Sequence, residues 1–364
     1  MYLINEKVSK KTQQPTMNNL KSKHMLEKNS HKLRFQKDLL GWFDIQQRPL
    51  PWRSNPSLYK TVVSEFMLQQ TRVLTVIPYF NNWINIFPNF QLLANSNEDN
   101  VLKNWEGLGY YSRARNLHKL AKIVCLWDSP SKDIKDWQAL PGVGPYISAA
   151  ITSISFNQPN AVCDGNVVRV LTRIFAIHEN FKDGATAQKK IQPVAQKIIS
   201  LIRPGDYNQA IMELGATVCH KHNPLCTICP VHSFCTSGRK GDSEKFPIIS
   251  KKRKFKKNVE RYWIVSESKI LLQKENNNSN RLAGIYELPK CSEKDILKKG
   301  NLICKKNRTI GQTDYSESIF HGYLDPKLDL KNQTMKWVKW EEIDKITLSG
   351  PHRKWIEEIR KSFD

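Results

Sequence analysis

Three stretches of the chain carry residue types whose spacing permits chemistry. The first is Leu140-Pro141-Gly142-Val143-Gly144-Pro145, set between two apolar-periodic segments. Glycines here admit backbone conformations closed to other residues and let the chain approach a neighbour closely. Pro145 fits the first turn of a new helix, where its missing N–H costs nothing. The free N–H groups and positive end of such a helix suit an anion such as phosphate. The same turn also serves as an ordinary corner between helices. The second feature is a carboxylate, Asp164, immediately before Gly165 and the helical run Asn166 to Phe175. Read alone, an Asp in that place is a helix N-cap. The third is the set Cys219, Cys226, Cys229 and Cys235, spaced C-x6-C-x2-C-x5-C. Four thiolates at this density can enclose a tetrahedral Zn²⁺ or a [4Fe–4S] cluster. Such a cluster of cysteines, with Cys125, Cys163, Cys291 and Cys304 scattered elsewhere, points to a reduced compartment rather than disulfides.

The elements that must position these residues are mostly helical. Order is expected from near Leu33, where Phe35, Leu39, Leu40, Trp42 and Phe43 mark an amphipathic helix. The prolines of Pro49-Leu50-Pro51-Trp52-Arg53 impose an extended segment. Helical patterns then run to Val218, and Glu65 falls inside one apolar run, Val62 to Leu68. Burial there would raise its carboxyl pKa and keep a proton available near neutrality. From Asn258 the texture changes to short β-like runs, and the chain closes on an amphipathic stretch, His352 to Ile359. We therefore expect a disordered basic extension (1–30), a mainly α domain (31–236), a basic linker (237–257) and a smaller α/β domain (258–364).

Composition bounds the partners. Lys+Arg of 57 against Asp+Glu of 34 gives a net charge of +23, which directs attention to nucleic acid. Between Lys245 and Lys257 there are seven basic residues and no acid, which fits a solvated tether or a phosphate-contacting strap. The interval from Cys219 to Lys240 likewise carries no carboxylate. No 18-residue apolar run, lipidation motif or secretory segment is visible, so a cytoplasmic location is expected. In a eukaryote that becomes the nucleus or mitochondrion.

Taken together, the cysteine spacing, LPGVGPY and VCDGNVVRVLTR resemble the endonuclease III superfamily of helix-hairpin-helix DNA glycosylases. Leu50-Pro51-Trp52-Arg53, Ser64 to Thr71, Glu106 to Arg113 and Glu213-Leu214-Gly215-Ala216 narrow the resemblance to the MutY-type adenine DNA glycosylases. It is dense over about residues 33 to 236. The resemblance implies a [4Fe–4S] cluster on all four cysteines. It also implies Glu65 as acid and then activator of water, Asp164 facing the sugar, and Asn166 assisting. Such a division of labour is the one two carboxylates make in glycoside hydrolysis. A flipped adenine would lie among Trp52, Arg53 and Gln209. Gln70, Thr71 and Tyr110 would contact DNA near the lesion, with Gly142, Val143 and Gly144 on the backbone.

Tyr146 stands where bifunctional relatives carry Lys, and a phenol cannot form a Schiff base. The expectation is a monofunctional, monomeric enzyme that excises adenine opposite 8-oxoguanine or guanine and leaves an abasic site. The alternatives are a bifunctional pyrimidine-lesion enzyme and a non-catalytic iron-sulfur DNA-binding protein. The C-terminal part resembles a Nudix-like 8-oxoguanine reader without a Nudix catalytic box, and it contains an Asn-rich stretch at 276–280. Its recognition loop, usually Phe-Ser-His, reads Tyr315-Ser316-Glu317, with Ser316 still able to contact the damaged base. Glu317 would add an unfavourable negative charge close to DNA.

Overall fold

Side-chain caps set many of the helix starts. Ser57, Asn89, Asn97, Asp133, Asp164 and Asp183 each accept a backbone N–H two or three residues ahead, as capping residues do. In this computed structural model the described residues are 29–250, 254–275, 282–290, 296–324 and 334–363. Most of the expected N-terminal extension, the start of the KKRKFKK run and the Asn-rich stretch lie outside them.

The elements follow in chain order. They are α1 (Asn29–Gln46), α2 (Leu58–Leu68), α3 (Val73–Ile86), α4 (Phe90–Asn95), α5 (Glu98–Trp105), α6 (Ser112–Val124), α7 (Ile134–Gln138), α8 (Pro145–Phe156), α9 (Gly165–Ile174), β1 (Asn180–Phe181), α10 (Gly184–Ile198), α11 (Pro204–Thr217), α12 (Thr236–Lys240) and β2 (Ile248–Ile249). The C-terminal region adds β3 (Phe255–Trp263), β4 (Val265–Ser266), β5 (Lys269–Lys274), β6 (Tyr286–Glu287), β7 (Ile296–Ile310), β8 (Thr313–Leu324), β9 (Met335–Lys339) and α13 (Gly350–Lys361). The chain divides into two units, residues 1–47 with 157–250 and residues 48–156 with 251–364.

In the first unit, α1 packs on α11, and α9 packs on α10 and α11. Phe35 meets Tyr207 and Phe234 edge-on, and the Gln36 amide donates to the carbonyls of Ile198 and Ile199, closing the end of α10. Residues 236–250, expected at the start of a linker, form α12, a 3-10 turn and β2. Their anchor is Phe246, which is fully buried against His178 and whose carbonyl accepts from Arg173. A single buried aromatic in a polar stretch leaves no periodicity for a sequence reading to find.

In the second unit, α2 is the central helix, buried from Tyr59 to Met67 apart from Lys60 and packed by α3, α6 and α8. An apolar run with no polar face is what such a position demands. Around it lie Trp83, Trp105 and Trp137, the first two in edge contact at 5.4 Å. The C-terminal strands make two sheets. β8 sits between β3 (parallel) and β7 (antiparallel), and β5 pairs with β4, β6 and β9. Trp355, Ile356 and Ile359 of α13 pack with Trp263, Ile270, Leu288 and Ile319 of this part.

A buried charge network fixes the sheets. Arg261 donates to Glu317 at 2.8 Å and to Glu287 at 2.6 Å, and Arg308 donates to the same two carboxylates. Glu317 is therefore turned inward and neutralised, correcting the expectation of an exposed charge near DNA. Two arginines against two glutamates balance to zero, so His352 is best neutral. Its Nδ1 accepts the Leu288 N–H, leaving the proton on Nε2, 3.4 Å from Glu317.

Burial raises the Glu317 carboxyl, but His352, Arg261 and Arg308 outweigh that and hold it down to about 2, below its ordinary 4.5. Its stabilising contribution is thus complete above pH 4.5 and is lost as pH falls toward 2. Removing one partner of a buried pair costs roughly 3–5 kcal/mol. Glu317→Gln should lower the urea midpoint accordingly at neutral pH, and a wild-type midpoint would contradict the network's role.

Candidate active site

Within the second unit, one guanidinium organises the loops that carry several of the expected DNA-contacting residues. Arg113, at the start of α6 and only 6 % exposed, donates to the carbonyls of Phe66, Met67 and Gln69 and to the Thr71 hydroxyl. From the same group it donates to Leu108 and Gly109, and it lies against the Trp105 and Tyr110 rings. It therefore ties the end of α2 to the turn between α5 and α6. Both exposed tips are left-handed, Gln70 at φ 56° and Tyr110 at φ 49°, which side-chain-bearing residues adopt only under constraint. Burial pushes the Arg113 guanidinium down to about 10, still charged at neutral pH. The sequence reading quoted Arg113 within a motif but assigned it nothing. The only available signal was a cation close to two apolar helices.

Glu65 lies on α2, 6 % exposed, with buried Ser64 and Phe66 on either side. Trp52 packs edge-on against Phe80, and Arg53 donates its guanidinium to the Arg48 carbonyl and its N–H to that of Leu50, so the segment expected to be extended closes into a turn at residues 51–53. The glycine turn joins α7 to α8 as a helix-hairpin-helix. Gly142 has φ 76°, and a Cβ there would come within 2.7 Å of Asn116. Gly142, Gly144 and Pro145 are exposed while Val143 is buried, so the turn is pinned by its valine and offers its backbone outward. Tyr146 is half-buried in the first turn of α8, which packs on α2.

The first unit holds the other carboxylate. Asp164 caps α9, its Oδ1 accepting from Val167 N–H and its Oδ2 from the Asn166 amide, each at 2.8 Å. Asn166 in turn accepts from Arg169, which also donates to Gly215 and Cys219 carbonyls. Gly215 is required by contact, since a Cβ would sit 2.6 Å from that of Asn166. A capping position alone would favour an ionised Asp164. Dense burial instead raises its carboxyl above the ordinary 3.8, against the pull of Val167, Asn166 and Arg169. Gln209 is half-buried on α11.

The four cysteines occupy one loop region of the same unit. Arg173 donates to Cys219 Sγ at 3.3 Å and Gly238 N–H to Cys235 Sγ at 3.2 Å. Burial pushes the Cys229 thiol up to about 12, with Cys219, Cys235 and Cys226 adding to the effect. Such thiols ionise only beside a cationic group, which is what a bound metal supplies. Among the described residues no three His, Cys, Asp or Glu are gathered as ligands of a single ion.

The structure thus groups Gln70, Thr71 and Tyr110 through Arg113, sets Glu65 and Tyr146 on packed helices, and joins Asp164 to Asn166. Tyr315 and Ser316 lie on the central strand β8 rather than in a loop, opposite Lys257 and Asn258 of β3. A cavity of about 400 Å³ opens at Tyr315, lined also by Lys257, Lys290 and Arg308 and by the carboxylates Glu260 and Glu275. Among the described residues no helix is long and apolar enough to cross a membrane.

Residues 63–207 match the HhH-GPD superfamily of base excision DNA repair proteins. The chain is 33% identical over 330 residues to the adenine DNA glycosylase of Buchnera aphidicola subsp. Schizaphis graminum, covering 88% of this chain and 81% of that protein. Against that of Buchnera aphidicola subsp. Baizongia pistaciae it is 34% identical over 356 residues, covering 90% and 97%. The Mus musculus adenine DNA glycosylase is 44% identical over 212 residues, 55% of this chain and 41% of that protein. The chain therefore spans about two fifths of the length of this mammalian relative. The fold also matches a thermostable thymine-DNA glycosylase at TM-score 0.50 and 24% identity, over 58% of this chain and 98% of that one.

A raised carboxyl pKa means that ionising Asp164 costs the folded state stability once pH exceeds its folded value. Asp164→Asn keeps an N-cap acceptor without the charge. Its melting temperature at neutral pH should equal or exceed that of wild type. A marked fall would contradict the electrostatic account of this position.

Proposed function

The chain belongs to the adenine DNA glycosylase family within the HhH-GPD superfamily, and from that premise we propose that it excises adenine mispaired with 8-oxoguanine or guanine. The reaction is hydrolysis of the N-glycosidic bond, acting as a monomer on duplex DNA, in whichever compartment holds that DNA. The observation that carries this reading is the retention of two constrained carboxylates, Glu65 inside apolar α2 and Asp164 capping α9.

Adenine leaves poorly unless protonated, and Glu65, buried on α2, supplies that proton. As the glycosidic bond breaks, the sugar acquires oxocarbenium character. Asp164 stabilises that charge, because an anion held in a burying environment gains most from a nearby cation. Glu65, now ionised, draws a proton from the attacking water, whose hydroxyl completes the abasic sugar. Asn166 holds Asp164 in orientation, and Tyr146 supports by hydrogen bonding. A phenol there offers no amine, so the strand is not cleaved.

Trp52, Arg53 and Gln209 are the residues assigned to adenine, with the Gln amide apt for adenine N6 and N7. Gln70, Thr71 and Tyr110 fill the gap left by the extruded base. The outward backbone of Gly142 to Gly144 takes a phosphate. Tyr315 and Ser316 read the base opposite. Cys219, Cys226, Cys229 and Cys235 would hold a [4Fe–4S] cluster, which would rigidify an acid-free loop.

In single-turnover assays Glu65→Gln and Asp164→Asn should each slow adenine release by about 10²–10⁴-fold. The wild-type rate should fall on acidification at a pH above the ordinary Asp value of 3.8, because ionised Asp164 is required and its pKa is raised. Borohydride should trap no protein–DNA adduct. A trapped adduct, or variants as fast as wild type, would overturn the reading.

A further inference from the structure

The turn that carries Tyr110 is gripped on a second side, by the C-terminal sheet domain. Glu106, at the C-cap of α5, has a side chain only 8 % exposed. Its carboxylate accepts from Arg353 of α13 through Nε and Nη2, from Leu348 N–H and from Lys103. Lys103 also donates to the Ile346 carbonyl, and Tyr111 Oη donates to that of Leu348 at 2.8 Å. Burial and the Glu106 charge push the Tyr111 phenol up, so it stays a donor. Arg353 is itself oriented by the carbonyls of Ile343 and Ile346 and by Asp344.

The turn in question needs such support. Gly107, Gly109 and Tyr110 all have positive φ, at 101°, 69° and 49°. The two glycines adopt this conformation without strain, but Tyr110 persists there only where the surroundings over-determine it. Apolar contact would suffice merely to glue the domain on, and Ile285 already packs into the helical core. A buried carboxylate with four donors does something apolar contact cannot, which is to fix one orientation of the backbone it terminates.

We infer that the Glu106–Arg353 ion pair makes Arg353 a positioning residue for Tyr110, so that the C-terminal domain sets where Tyr110 enters the duplex. The inference rests on the proposed insertion of Tyr110 near the lesion. It supplies a physical link between the strand carrying Tyr315 and Ser316 and the turn that fills the gap on extrusion. A domain displaced by a mismatched reading would loosen Tyr110 through this pair.

The test uses the full chain and duplexes carrying 2-aminopurine beside the mispair, whose fluorescence reports insertion during single turnover. Arg353→Gln should slow both the fluorescence change and adenine release about 5- to 20-fold, a usual range for coupling between sites. Arg353→Lys should recover part of the loss. In a Tyr110→Ala background Arg353→Gln should cost nothing further, since both act through one side chain. Full additivity of the two losses, or an Arg353→Gln protein with lower melting temperature but wild-type kinetics, overturns the inference. If Tyr110→Ala alone leaves both signals unchanged, the insertion reading fails and the inference with it. A Glu106→Gln variant gives the same readouts should Arg353→Gln fold poorly.

Discussion

The second unit depends on a cation in its interior. Arg113 meets six acceptors drawn from the end of α2 with the turn that follows it and from the turn before α6. Unpaired carbonyls at helix ends are costly when buried, and here one planar guanidinium satisfies several at once. That same fork geometry, which Lys lacks, sets Gln70 and Tyr110 at the exposed tips of two strained turns. The hydrophobic packing of Trp83, Trp105 and Trp137 around α2 makes the platform. Arg113 decides which residues stand on it.

Charge is buried wherever this protein has something to position, and the consequences differ by site. In the C-terminal sheets two arginines and two glutamates cancel, and the arrangement stabilises a unique fold. At Asp164 the compensation is incomplete, and burial prevails over two hydrogen bonds and a neighbouring arginine. A group held in such a state costs stability and is kept when its chemistry is needed, the usual compromise at functional sites. Glu65 is likewise a buried carboxylate, on α2.

Much of this was legible in the sequence because it rests on local pattern. The apolar run around Glu65, the glycine turn before Pro145, the Asp before Gly165 and the cysteine spacing each identify their element without tertiary knowledge. What stayed hidden depends on partners far along the chain. Arg113 reads as one more base in a positive protein until its carbonyl partners are seen. Glu317 reads as an exposed acid until Arg261 and Arg308 are found beside it. Strand alternation gave no warning, because period-2 reasoning expects polar residues to face water. Phe246 and the Glu106–Arg353 pair were likewise invisible to any reading of neighbours in sequence.

Removal of adenine without strand cleavage is the activity proposed for these residues. The direct measurement is single-turnover release from end-labelled duplexes with adenine opposite 8-oxoguanine, guanine or thymine, each analysed with and without hot alkali. We expect breaks only after alkali, fastest opposite 8-oxoguanine and absent opposite thymine. Breaks without alkali, or no breaks under either condition, would contradict it.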